Sequence, residues 1–148
     1  MRTHQFDKVE METFSSSETA LDEQKLMIEI QKKIMEDLGI PYQVIGICTG
    51  DMGGPDVKQI DINGWMPGLN KFRETHTSDY VGDYQSRRLN TRYKDESGSH
   101  FVHMNDATAI ALSRGPIVII ENYQNKDGTI TVPEVLRKYM NKNIIDKI

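Results

Sequence analysis

The sequence predicts an α+β fold, a mainly antiparallel sheet flanked by helices, and three observations predict it. A long stretch near the start carries helical spacing. Several β-rich runs separated by turn residues fill the middle, without the regular strand–helix alternation of a parallel sheet. Two further helical stretches close the chain. At 148 residues, with 37% hydrophobic and 27% charged content, this is one globular domain in size and composition, which excludes a fibre, a disulfide scaffold and a disordered tail. No apolar run approaches the ~20 residues of a membrane-spanning helix, and Met1 to Glu10 is polar where a secretory signal would be apolar. The expected location is cytoplasmic. A net charge of -4 removes any global attraction to nucleic acid, although Arg73, Arg87, Arg88, Arg92 and Arg114 lie between positions 73 and 114.

The first element is a strand: Arg2 to Glu12 reads as strand interior, so that the start resembles a cut edge. From Thr19 to Leu38 the spacing of Met27, Ile30, Ile34 and Leu38 predicts a helix with one apolar face. Thr19 with Asp22 and Glu23 resembles a cap, and Gly39 with Pro41 supplies the exit. Tyr42 to Cys48 is β-rich, and apolar neighbours suggest that the single cysteine, Cys48, is a buried thiol, with no partner for a disulfide or a zinc knuckle. Strands follow at Gln59 to Trp65 and Arg73 to Thr77, with a turn at Pro67-Gly68 between them. Alternation from Gln85 to Tyr93 predicts a strand projecting arginines into a cleft or solvent. His100 to Ala107 reads as a strand running into an apolar, buried helix from Thr108 to Tyr123. After the turn Asn125 to Gly128, Thr131-Val132-Pro133-Glu134 has the pattern of a capping box before a terminal helix through Lys142.

Common chemical motifs are absent. His100 and His103, three apart on a strand, point to opposite faces and make a poor metal pair. Neither Gly-x-Gly-x-x-Gly nor Gly-x-x-x-x-Gly-Lys-Ser/Thr occurs, so a bound nucleotide would be held by side chains. Polar residues embedded in core-forming elements remain: Arg2, Glu10, Glu74, Thr77 and Arg114. A guanidinium inside an apolar helix requires an anion, so Arg114 needs either an internal carboxylate or a ligand phosphate.

Five blocks carry a resemblance: Met1 to Glu10, Cys48 to Gly53, Asp61 to Gly68, Asp83 to Arg92 and Ile119 to Gln124. In this order, over nearly the whole chain, they resemble the C-terminal part of seryl-tRNA synthetase, a class II aminoacyl-tRNA synthetase. The resemblance makes residues 1–148 the C-terminal portion of a catalytic domain incomplete at its N-terminus. Its tRNA-gripping arm, dimer-forming first motif, serine-contacting loop and α-phosphate-holding strand would lie in a missing N-terminal segment. A half-sheet of this kind leaves an open hydrogen-bonding edge and an uncovered apolar face.

The resemblance implies ATP-dependent activation of serine and its transfer to tRNA(Ser), with Mg²⁺, in a homodimer. It places Arg2 and Arg114 at the β- and γ-phosphates as catalytic cations, and Phe6 on the adenine. Glu74 and Thr77 take the positions that approach ATP and its Mg²⁺, with Thr75 and His76 lining the nucleotide site. Glu10 matches the carboxylate that receives the serine ammonium, and Thr108 the polar residue that contacts the side chain. Three stretches depart from the family pattern. Asn105-Asp106-Ala107-Thr108 puts an acid, Asp106, where an amide is usual beside the substrate. Asn63-Gly64 replaces an acid and a small apolar residue, and His76 to Tyr80 replaces a serine- and cysteine-rich run. The alternative is a divergent or truncated paralogue that binds ATP or serine, or charges a carrier protein, without tRNA aminoacylation.

Overall fold

In the computed structural model, which describes residues 1–147, β1 (Lys8–Ser15) leads into α1 (Ala20–Asp37), then β2 (Tyr42–Gly46), β3 (Lys58–Met66) and β4 (Lys71–Gly82). There follow α2 (Tyr84–Leu89), β5 (Arg92–Asp95), β6 (Gly98–Phe101), β7 (His103–Ala111), α3 (Gly115–Tyr123), β8 (Ile130–Thr131), α4 (Glu134–Met140) and β9 (Ile144–Ile145). Five strands form one sheet in the order β1-β7-β4-β3-β2, antiparallel at every pairing. The expected α+β class with a mainly antiparallel sheet is therefore what the chain adopts.

Helix α1 lies across one face of the sheet and ends as expected, with Gly39 in the left-handed region at φ 65°. Its buried seam differs from the apolar stripe. Ala20, Gln24, Met27, Gln31, Met35 and Leu38 are buried, whereas Ile30 is 40% exposed. Two glutamines enter the interface because their amides serve the sheet backbone: Gln24 Nε2 donates to the carbonyls of Lys58 and Ser78, at 3.2 and 3.0 Å. Met35, Leu38, Ile40, Ile62, Met66 and Val118 form the core between α1, the sheet and α3. Each such side chain contributes about 1.5–3 kcal/mol on burial.

Several expectations need correction. The first strand starts at Lys8; the irregular segment before it leaves Phe6 half exposed. Cys48 is exposed, because β2 is an edge strand and the thiol lies beyond its end, where no element covers it. Gln85 to Tyr93 is mostly helix: the Arg87–Asp83 pair at 2.6 Å and the Ser86 Oγ bond to the Asp83 carbonyl hold the turn of α2, and left-handed Asn90 ends it. Its arginines stack on neighbouring rings, Arg87 over Phe101 and Arg88 over Tyr84.

The predicted helix from Thr108 to Tyr123 begins only at Gly115, because β7 runs on to Ala111 and pairs with β1 to its end, with one bulge at Ala109. Arg114 is consequently the N-cap residue of α3 rather than a mid-helix charge. Nor is α3 buried all round: among its residues only Gly115 and Val118 are buried, and Ile120 is 41% exposed. The capping box before α4 does not form, since Thr131 Oγ1 bonds to Asn125 and Pro133 occupies the N-cap; the helix stops at Met140, short of Lys142. As expected, His100 and His103 diverge, His100 toward Asp95 and His103 toward the Tyr80 hydroxyl, 2.6 Å away. The edges β1 and β2 expose Val9, Phe14, Val44 and Ile45.

Candidate active site

The site opens where the central strands part. The β4–β7 ladder begins at Ser78 and Ala107; on the cleft side of it the strands no longer pair, and Gln31 Nε2 from α1 donates to the free carbonyls of Thr77 and Thr108, at 2.7 and 2.8 Å. Above this gap lies a cleft of about 360 Å³. Arg2, Phe6 and Lys8 line it from the N-terminal segment, Glu74, Thr75 and Thr77 from β4, Thr108 and Ala111 from β7, and Ser113 and Arg114 from the β7–α3 junction. A second hollow of about 280 Å³ shares Arg2, Glu74 and Arg114 and extends over Asp61, Asn63 and Arg73.

A register shift shapes the β4 wall. Ile62 pairs with His76 but Asn63 pairs with Glu74, leaving Thr75 as the extra residue of a bulge. Thr75 Oγ1 donates to the Ile62 carbonyl at 3.0 Å and shares a 2.8 Å hydrogen bond with His76 Nδ1. His76 is 4% exposed and does not border the cleft, so its predicted place at the nucleotide site is not what the fold gives. Burial pushes its imidazole down to about 4, which keeps the ring neutral.

Arg114 Nη1 reaches the Glu74 carboxylate at 2.6 Å and the Glu74 carbonyl at 2.9 Å. The anion demanded by Arg114 is, in this structure, an internal one. Glu10 lies opposite Thr108 on β1 and pairs with Lys8 at 2.7 Å. Asp106 does not border the cleft but lies one pleat farther along β7 on the same face as Thr108, directly opposite Asp79. Burial, together with Asp56, Asp106 and Asp61, pushes Asp79 up to about 7, with a bond from Thr77 opposing. Burial raises Asp106 as well, Glu10 and Asp56 adding and Lys8 opposing. For Asp61 burial also dominates, opposed by a bond from Gln59.

Of the predicted site residues, then, Arg2, Phe6, Glu74, Thr75, Thr77, Thr108 and Arg114 converge on one cleft, while His76, Glu10 and Asp106 stand outside its lining. Sequence reasoning missed Lys8, Ser113 and Asp79. For Asp79 a signal existed: at two-residue spacing from Thr77 it shares that residue's face.

Fold and cleft together define the catalytic core of a class II aminoacyl-tRNA synthetase. The family model described as "tRNA synthetase class II core domain (G, H, P, S and T)" matches residues 1–123, and the chain belongs to that family. Among curated relatives it is similar to the serine–tRNA ligase of Sinorhizobium fredii, 42% identical over 142 residues, which cover 95% of this chain and 33% of the relative. The serine–tRNA ligase of Fervidobacterium nodosum is 40% identical over 146 residues, 98% of this chain and 34% of the relative. The crystal structure of seryl-tRNA synthetase from Pyrococcus horikoshii complexed with ATP superposes with a TM-score of 0.96 at 41% identity, covering 99% of this chain and 33% of that one. The chain thus spans about a third of the length of the curated relatives it matches. Among the described residues no helix is long and apolar enough to cross a membrane.

Proposed function

We propose that this chain carries the ATP-facing and amino-acid-facing walls of an enzyme that activates serine, or an amino acid of serine's size, and passes it to tRNA. The observation that carries the reading is the convergence of Arg2, Phe6, Glu74, Thr77 and Arg114, drawn from three separate stretches of sequence, on one cleft. It is supported by a relative of the same fold whose structure contains ATP.

In this reading Phe6, half exposed at the cleft mouth, stacks on the adenine, and Arg2 and Arg114 neutralise the β- and γ-phosphates. The Glu74 carboxylate and Thr77 hydroxyl are hard oxygen donors on the same strand and would hold Mg²⁺, which when bound adds charge neutralisation at the phosphates. Thr75 lines the same wall, whereas His76 supports it from behind through the Thr75 hydroxyl. Glu10 receives the substrate ammonium in exchange for Lys8, and Thr108 faces the side chain. The substrate carboxylate attacks the α-phosphorus to give an adenylate and pyrophosphate; a terminal tRNA hydroxyl then takes the aminoacyl group and AMP leaves. Such chemistry rests on in-line positioning and cations, which agrees with a site built of arginines and hydroxyls rather than a nucleophile–base pair.

Two measurements test this. Calorimetric titration of the chain with ATP, with and without Mg²⁺, is expected to show binding that Arg114→Ala weakens by about tenfold or more. Serine-dependent exchange of pyrophosphate into ATP is expected only when the chain is supplied with the preceding segment of a relative, because the relatives are some three times its length. Absence of ATP binding at millimolar concentration, or vigorous exchange by the 148-residue chain alone, would overturn the assignment of roles.

A further inference from the structure

The arginine-rich stretch between β4 and β7 contributes nothing to the cleft. Arg87 and Arg92 both stand over the Phe101 ring, at 5.0 and 3.7 Å from its centroid, and Arg88 lies over Tyr84 at 3.4 Å. Three exposed guanidiniums are thus laid against aromatic rings within one short segment. Arg87 pairs with Asp83, but Arg88 and Arg92 form no salt bridge among the described residues. Arg92 donates only through Nε, to the Asn90 side chain, and Arg88 only through Nη1, to the Tyr84 carbonyl. Of the nearby acids, Asp95 is engaged by Ser97 and His100, and Glu96 sits in the exposed turn of the β5–β6 hairpin.

A hollow of about 390 Å³ opens here, and its lining includes Arg87, Arg92, Tyr93, His100 and Phe101. Another of about 390 Å³ shares Arg87 and His103 with it and extends to Arg88 and Tyr84. A lone phosphate would occupy one of the two, whereas a chain of phosphates spans both. The stacks decide what kind of chain. A guanidinium stacked on a ring keeps its edge N–H groups for phosphate oxygens and its outer face for a further flat π-system. A nucleotide strand offers both at every step; a phosphopeptide offers only the anion. With a net charge of -4 on the chain, such a partner is held by this local cluster or not at all.

We propose that this groove binds single-stranded RNA, with phosphates on Arg87, Arg88 and Arg92 and unpaired bases stacked over the arginine–aromatic pairs. RNA as the partner rests on the function proposed above. The groove itself stands apart from the ATP-facing cleft: the segment leaves β4 at Gly82, five residues past Thr77, which is about 17 Å along the sheet.

The test is fluorescence anisotropy of a labelled ten-nucleotide oligouridylate titrated with the 148-residue chain across a range of salt concentrations. Arg88→Ala/Arg92→Ala, both exposed positions and shown by thermal unfolding to be folded, is expected to weaken binding about tenfold or more and to make the salt dependence shallower by about 1–1.5 in log–log slope. Arg92→Lys keeps the charge and gives up the planar stack, and is expected to lose about threefold or more. Lys138→Ala, which removes a cation from the Tyr139 ring on α4, is expected to leave RNA binding unchanged. No saturable binding at low salt, affinity that survives the double substitution, or full affinity in Arg92→Lys would each overturn the proposal. So would an inorganic polyphosphate of equal length competing as well as the RNA, or tighter binding of an RNA duplex or a phosphopeptide. ATP binding measured on the same sample reports separately on amino-acid activation: a chain that binds ATP but not the oligonucleotide keeps that function and loses this groove.

Discussion

Arg114 holds Glu74 at both its carboxylate and its carbonyl, through one guanidinium nitrogen at 2.6 and 2.9 Å. The pair joins the start of α3 to the bulged wall of β4, and both partners are the groups proposed to meet ATP and its Mg²⁺. In the proposed function, nucleotide binding would replace an existing contact. Glu74 would exchange a guanidinium for a divalent cation, and Arg114 a carboxylate for a phosphate.

Glu74→Gln separates the two halves of that exchange. The amide no longer holds Arg114 by charge, so metal-free ATP affinity is expected to hold or rise, while the enhancement by Mg²⁺ is expected to fall by about tenfold or more. Calorimetry in EDTA and in Mg²⁺ gives both numbers. Unchanged Mg²⁺ enhancement would remove Glu74 from the metal's ligands.

Asp79 and His76 give stability two opposed pH dependences. Asp79, raised by burial and by Asp56, Asp106 and Asp61 to about 7 from 3.8, keeps a proton in the folded state that the unfolded chain releases. Its contribution is full below about 3.8 and is lost as pH rises toward about 7, with Asp61 and Asp106 acting in the same direction. His76, lowered by burial to about 4 from 6.5, contributes fully above 6.5 and loses that contribution as pH falls toward about 4. Between these limits the two oppose. In metal-free buffer, Asp79→Asn is expected to make the melting temperature climb more steeply from pH 4 to 6.5, and His76→Gln to make it fall over the same range. Two variants with slopes of the same sign would show that other groups govern the profile.

Where period and burial agree, the fold was legible: the ends of α1 and the alternation of β3 both stand close to their expected bounds. Reading failed where a polar contact overrides period. Alternation from Gln85 to Tyr93 mimics a strand, but Asp83 and Arg87, four apart, close a helical turn. The cleft was legible only through resemblance, since nothing local in Arg2, Glu74 and Arg114 predicts that the chain brings them together. His76 was placed at the nucleotide site by resemblance alone; next to cleft-facing Thr77 in regular register, it lies on the opposite face of β4, where it is buried.

Gly64 tests the packing behind the bulge at Thr75. A Cβ built there meets Met35 Cε at 3.0 Å and the Thr75 and Val118 methyls at 3.1 Å, so three elements crowd a position with no side chain. Gly64→Ala is expected to cost about 1–3 kcal/mol by overpacking, read from the urea midpoint. A midpoint at or above that of the parent chain would show that Met35 can yield without loss.

Gln31 bridges β4 and β7 where the cleft opens. The cross-strand bonds of β4 and β7 stop at Ser78 and Ala107, and the two carbonyls left free, of Thr77 and Thr108, take both protons of one buried amide. Gln31→Leu keeps the bulk under the sheet and removes the donors, leaving two buried acceptors at a cost of about 1–3 kcal/mol each. The strands can recover part of that loss only by pairing farther, which draws Thr77 and Thr108 together and narrows the cleft. Lower stability is therefore expected together with weaker ATP binding, whereas Met27→Leu, in the same buried seam but without a bond to the sheet, is expected to leave nucleotide affinity unchanged. If Gln31→Leu lost stability but bound ATP as the parent chain does, the parting of β4 and β7 would be set by the twist of the strands, and the glutamine would only fill a gap they had already made.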